Sequence, residues 1–165
     1  MFKSRFVPML ILGSVWIGSS AMAQGVLMQR ELSLDLATQI AQAALAQCKA
    51  NGFNVAVAVV DRAGDLRVFL RGDNTTPHNA ELARRKAYTA RTFRRTSADW
   101  AKRTEPGSYI AGQRSLSQVI PLSGGVPINV GDETIAGLGV SGSTGEGKDE
   151  SCALAAVAKF ADQLK

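Results

Sequence analysis

His78 is the only histidine in a chain of 165 residues, so any imidazole chemistry has one place to occur. Neutral imidazole is a common metal ligand, and its ring titrates near physiological pH. His78 follows Thr76-Pro77, which reads as a helix start with proline at its favoured first position. On that helix His78, Leu82 and Arg85 fall at i, i+4 and i+7 and therefore share one face. The face offers a metal ligand, an apolar contact and a cation over about 10 Å of helical rise. The plainer reading is a surface histidine bonded to a turn carbonyl, with Arg85 ion-paired to Glu81 at i,i+4 for a few tenths of a kcal/mol. A second stripe, Arg84, Tyr88, Arg91 and Arg95, reads either as a solvated basic face or as a contact for an acidic ligand or a neighbouring subunit.

Other constellations are weaker. Ser141 and Ser143 sit among glycines but lack the strand-turn-helix elbow of a hydrolase nucleophile, and one histidine leaves little choice of base. Asp61 and Asp65 flank a tight connection and read as turn residues. Zinc is disfavoured by one histidine and two distant cysteines. Gly137, Gly139 and Gly142 spell a G-x-G-x-x-G, yet the first two lie inside the apolar run Thr134 to Val140, which reads as a strand. The turn comes later, at Gly142 to Gly147, and its exposed amides could line a pocket. Glu146, Asp149 and Glu150 around the next helix start suit the helix dipole and would repel a phosphate, which argues against a dinucleotide site.

These residues must be positioned by a small set of elements. Leu32 to Ala50 has helical periodicity in Ala37, Ile40, Ala41, Ala44 and Cys48, with Ser33 as N-cap. Asn54 to Asp61 is apolar and β-branched, as expected of a central strand, and Asp65 to Arg71 pairs with it through a tight turn. A helix from Thr76-Pro77 to about Phe93 presents Ala80, Ala83, Ala87 and Ala90, small enough to approach a sheet closely. A short helix follows from Thr96-Ser97 to Trp100, and Glu105 to Ser117 reads as irregular. Leu116 to Pro121, Val126 to Val130 and Glu133 to Ser141 supply three further strands, and Asp149 to Leu164 closes as a helix. The order αββααβββα, with five strands in antiparallel runs and helices at each end and in the middle, implies an α+β sandwich. Cys48 near the end of the first helix and Cys152 near the start of the last would meet if those helices pack antiparallel. They form either a disulfide or two buried apolar contacts.

The first residues read as a targeting segment. Lys3 and Arg5 precede an apolar run from Val7 to Ile17, and Ala21-Met22-Ala23 matches a signal-peptidase site. The run is short for a bilayer span, and no second candidate follows. Residues 1–23 are thus expected to be a cleaved signal peptide, leaving 24–165 as one periplasmic or secreted domain in which a disulfide is chemically permitted. Cleavage removes Lys3 and Arg5 from a net charge of +5. The modest excess left over argues against a nucleic-acid partner.

Four separated motifs then point one way: NVAVAVVDRAGDL (54–66), ARRKAYTA (83–90), SGGVPI (123–128) and GLGVSGSTGEGKDESCA (137–153). Together they resemble the GlcG/HbpS family, whose domain also occurs at the C-terminus of some cobalamin adenosyltransferases. The resemblance runs from about Leu32 to Leu164 and implies a profilin-like α+β fold, a five-stranded antiparallel sheet flanked by helices, and homo-oligomerisation. It also implies heme as a cofactor in some members, with heme degradation or redox sensing in some of those. Others are encoded beside glycolate-utilisation enzymes. On this resemblance His78 becomes a candidate axial ligand of heme iron, Leu82 a contact to the macrocycle, and Arg85 or Arg84 a partner for a propionate. The protein would then be a heme or small-ligand carrier, store or sensor. The alternatives are a heme-degrading enzyme and an oligomeric accessory protein that takes no heme.

Overall fold

Local rules account for most of the element boundaries in the computed structural model, which describes residues 25–165. The expected signal peptide lies outside them. Helix α1 spans Leu34–Ala50, and the Ser33 side chain accepts the Leu36 N–H at 3.2 Å as its N-cap. It ends at Asn51-Gly52, where Gly52 takes φ +84°, a left-handed conformation that costs glycine little. Strand β1, Ala56–Val60, is buried along its whole length. The Asp61 carboxylate then accepts the backbone N–H groups of Ala63 and Asp65 at 2.9 and 3.0 Å, which folds the chain back into strand β2, Leu66–Arg71. Helix α2 covers His78–Phe93 and helix α3 covers Ser97–Arg103. After a 3-10 turn at Ala111–Ser115 come strands β3, Gly125–Val130, and β4, Glu133–Ser141, and then helix α4, Lys148–Ala158.

The sheet is antiparallel throughout, with strand order β2-β1-β4-β3. Strand alternation gives it two different faces. Val57 and Val59 of β1, Leu138 and Val140 of β4 and Ile128 of β3 join α1 and α4 in the main core. On the other side Ala56, Ala58 and Val60 meet Ala83 and Ala87 of α2 in a second, thinner cluster. That side is thin because glycine lines it. A Cβ on Gly125 would overlap the Lys86 carbonyl, one on Gly137 the Ala87 carbonyl, and one on Gly139 the Ala83 carbonyl. Gly137 and Gly139 are therefore contact points between strand and helix and do not form a phosphate cradle.

The sheet has four strands, not the five expected, and the observed order is αββααββα. The segment Leu116 to Pro121 is not a strand, because its polar groups are taken by side chains of α2 and not by a ladder. Arg84 Nη1 donates to Gln118 Oε1 at 2.8 Å, Arg85 Nη2 donates to the Val119 carbonyl at 2.6 Å, and the Ile120 N–H donates to Thr89 Oγ1 at 2.9 Å. Buried Val119 anchors the segment over α2. The last helix is also shorter than expected: α4 stops at Ala158, and a 3-10 turn at Ala161–Gln163 brings Leu164 back onto the core.

Cys48 of α1 and Cys152 of α4, 104 positions apart in sequence, form a disulfide across a Cα–Cα distance of 5.5 Å. A loop of that length stabilises by up to roughly 4.7 kcal/mol in the chain-entropy account.

Candidate functional site

Most of the candidate residues lie on α2, which passes from an exposed N-terminal end, across the glycine-lined sheet, to a basic C-terminal end. The approach to its N-terminus is tightly held. Asn74 takes φ +60°, and the Arg71 guanidinium donates twice to the Thr75 carbonyl, at 3.1 and 2.6 Å. Asn79 Nδ2 donates to Thr76 Oγ1 at 2.7 Å. His78 is the first residue of the helix and is exposed, between two buried neighbours, Thr75 and Asn79. No hydrogen bond or ion pair to its ring is formed among the described residues, so its nitrogens are open to an external ligand.

Leu82, on the same face, is half-buried, as is Arg85. The Arg85 guanidinium is engaged on two sides. Nη2 holds the Val119 carbonyl, while Nη1 reaches Glu81 Oε1 at 3.2 Å. The first contact is partly buried, whereas the second uses a carboxylate whose side chain is 66% exposed. Exposed i,i+4 pairs of this kind are worth only tenths of a kcal/mol, so Nη1 can exchange Glu81 for another carboxylate while Nη2 keeps the guanidinium in place. Arg84 points its one side-chain bond at Gln118. His78, Leu82 and Arg85 thus line one face of α2, and Arg84 lies beside it.

Behind this face is a polar network that the sequence did not suggest. Lys86 is 4% exposed. Its Nζ donates to the Val140 carbonyl at 3.1 Å, to Ser141 Oγ at 3.2 Å and to Asp149 Oδ2 at 2.8 Å, which uses all three ammonium hydrogens. Ser141 Oγ in turn donates to Asn79 Oδ1 at 2.9 Å, and Asp149 Oδ1 accepts the Ser143 N–H at 2.9 Å. The network joins the first turn of α2, the end of β4 and the first turn of α4. Because every donor of Lys86 is used, this lysine orders the site and is not a free base. Asp149 fills the anion-accepting position at the Gly142 to Gly147 turn with its own carboxylate. A readable signal existed: Lys86 lies i+3 from Ala83 and i−4 from Ala90, on the edge of the alanine stripe that faces the sheet. Ser141 is bonded to Asn79 and Lys86, and the carboxylate of Asp61 is occupied by its hairpin, so neither forms part of a hydrolytic constellation.

This arrangement of four antiparallel strands between helices recurs in known proteins. The family described as Haem degrading protein HbpS-like matches residues 32–158. The chain belongs to the HbpS-like family. Protein GlcG of Escherichia coli (strain K12) is 33% identical over 110 residues, covering 67% of this chain and 81% of GlcG. A double mutant of Streptomyces reticuli HbpS superposes with a TM-score of 0.79 at 30% identity, over 95% of this chain and 99% of that one. The PduOC:heme complex superposes with a TM-score of 0.72 at 28% identity, over 77% of this chain and 93% of that one. The HbpS-like fold therefore occurs with heme bound in one solved relative. Among the described residues of this member there is no cluster of three or more His, Cys, Asp or Glu able to hold a bare metal ion, and no helix long and apolar enough to cross a membrane.

Proposed function

We propose that this HbpS-like protein is an exported heme-binding protein in which His78 supplies an axial iron ligand. The observation that carries the reading is the exposed, unbonded imidazole at the start of α2, in a fold that one relative uses with heme. Leu82 gives the macrocycle an apolar contact, and Arg85, held by Val119, gives a propionate its Nη1. Heme bound there would supply redox chemistry at its iron, and His78 is the residue that would hold that iron. The residues fit a group lying on the face of α2, which leaves one side of it open. The homo-oligomer implied by the family would cover that side with a second copy. An oxidising compartment, periplasmic or extracellular, agrees with the disulfide and with the signal-like first 23 residues.

The test is a hemin titration of the protein beginning at Gln24, followed by the Soret band. A saturable shift that is lost in His78→Ala supports the reading, and an unchanged spectrum and affinity in that variant refutes it. The family description favours one second reading, an enzyme that degrades the heme it binds. Consumption of the Soret band with reductant and oxygen, with iron released, would select the enzyme, whereas stable stoichiometric binding selects a carrier, store or sensor. Protein that takes up no hemin at all would be an accessory protein.

A further inference from the structure

The far end of α2 meets the β3–β4 hairpin across a cleft of about 390 Å³ lined by four arginines, Arg30, Arg62, Arg91 and Arg94, and by two acids, Asp132 and Glu133. Only Arg62 among the four is ion-paired within the described residues. Its Nη2 donates to Glu133 Oε1 at 2.6 Å, and Nη2 and Nε together hold the Arg30 carbonyl at 2.8 and 3.0 Å. Arg91 Nε is buried with no hydrogen-bond partner. The Arg91 guanidinium is pushed below its ordinary pKa first by loss of solvent and then by the positive charges of Arg62 and Arg94, which Glu31 and Asp61 oppose.

Two ordinary explanations fall short. Cations near a helix C-terminus gain from its dipole, but that dipole is equivalent to about half a charge. Among the residues that line the cleft, four arginines against the two carboxylates and that half charge leave more than one positive charge, which Glu31 and Asp61 reduce from outside the lining. Arg94 is also costly where it stands: it caps α2 at φ +54°, ψ +38°, a left-handed conformation in which glycine or asparagine is the usual residue. Strain of this sort on a non-glycine residue points to a use for its side chain.

We propose that this cleft binds a small oxyanion, a carboxylate or phosphate group carrying up to two negative charges, between the guanidiniums of Arg91 and Arg94. Guanidinium forks match both groups bidentately. Arg62, fixed by Glu133 and the Arg30 carbonyl, forms the back wall. The cleft is a second site, because His78 lies about 20 Å away along α2 by helical rise, beyond the reach from a heme iron to its propionates.

Calorimetry and thermal melts of the protein from Gln24, with inorganic phosphate or malonate against chloride at matched ionic strength, test this. The expected result is saturable binding of phosphate, malonate or both, with a rise in melting temperature that follows ligand concentration. A response to phosphate alone identifies a phosphate site, and a response to malonate alone a carboxylate site. Arg91→Gln should weaken binding about tenfold or more, the loss expected for a charge-assisted bond. Arg94→Gly should weaken it similarly while leaving the ligand-free melting temperature equal or higher, since glycine relieves the left-handed position. That separates lost binding from lost folding. Stabilisation by chloride equal to that by phosphate and malonate, or undiminished affinity in Arg94→Gly, overturns the proposal. Hemin uptake without oxyanion binding would overturn it and leave the heme reading intact. Oxyanion binding by protein that takes up no hemin would do the reverse.

Discussion

Lys86 Nζ lies 2.8 Å from Asp149 Oδ2, and both side chains are largely buried, so one ion pair couples the helix carrying His78 to the first turn of α4. Buried pairs add little net stability when replaced whole, but removing one partner strands the other and costs about 3–5 kcal/mol. Lys86→Met should therefore lower the melting temperature by on the order of 10 °C in a domain of this size. Asp149→Asn keeps an acceptor for the Ser143 N–H and isolates the charge. A double-mutant cycle between Lys86→Met and Asp149→Asn should give a coupling of at least about 1 kcal/mol by denaturant unfolding. Additivity would mean that the pair does not act as a unit.

The glycines of β4 give a sharper test of why α2 sits where it does. A Cβ at Gly139 would overlap the carbonyl oxygen of Ala83, which is backbone and cannot rotate away. Gly139→Ala should cost about 1–3 kcal/mol or more as an overpacked contact. Gly112→Ala, where a Cβ meets nothing within 4 Å, should be neutral to within about 0.5 kcal/mol. Equal melting temperatures for the two variants would contradict the close approach of α2 to the sheet.

The Cys48–Cys152 bridge joins the two helices on the opposite face from α2. Its loss, by reductant or as Cys48→Ala with Cys152→Ala, should lower unfolding stability by about 2–5 kcal/mol. Both cysteines are fully buried and bonded to each other, so neither should take up a thiol label until the bridge is reduced and the chain unfolds. Labelling without denaturant would contradict that packing.

Elements whose partners are near in sequence were legible from it. The Ser33 cap, the apolar strand β1 and the Asp61 turn each follow from a short window, and so did the reading of Gly137 and Gly139 as strand. What was missed depends on distant partners. Leu116 to Pro121 has the composition of a strand, but Arg85 and Thr89 reach across from α2 to claim its backbone groups, and Arg84 holds the Gln118 side chain. The partners that bury Lys86 come from β4 and α4, more than 50 residues further along the chain. The stripe Arg84, Tyr88, Arg91 and Arg95 does not survive as one face. Tyr88 packs over Gly64, Arg95 pairs with Asp99, and Arg91 joins Arg30 and Arg62 from other parts of the chain.

Arg85 is where stability and the proposed heme contact can be told apart. Its Nη2 bond to the Val119 carbonyl holds the segment after the 3-10 turn, and its Nη1 pair with Glu81 is exposed. Arg85→Gln should lose both the strap and any propionate partner, so unfolding stability falls by about 1–3 kcal/mol and hemin affinity falls with it. Glu81→Gln removes only the competing carboxylate. Stability should change by no more than about 1 kcal/mol, the scale of an exposed pair. Hemin affinity should rise by about twofold at low salt, with the gain fading as salt screens the charge. Parallel hemin titrations of the two variants check this. A fall in affinity for Glu81→Gln, or no change for Arg85→Gln, would remove Arg85 from the heme face and leave it only the task of holding Val119.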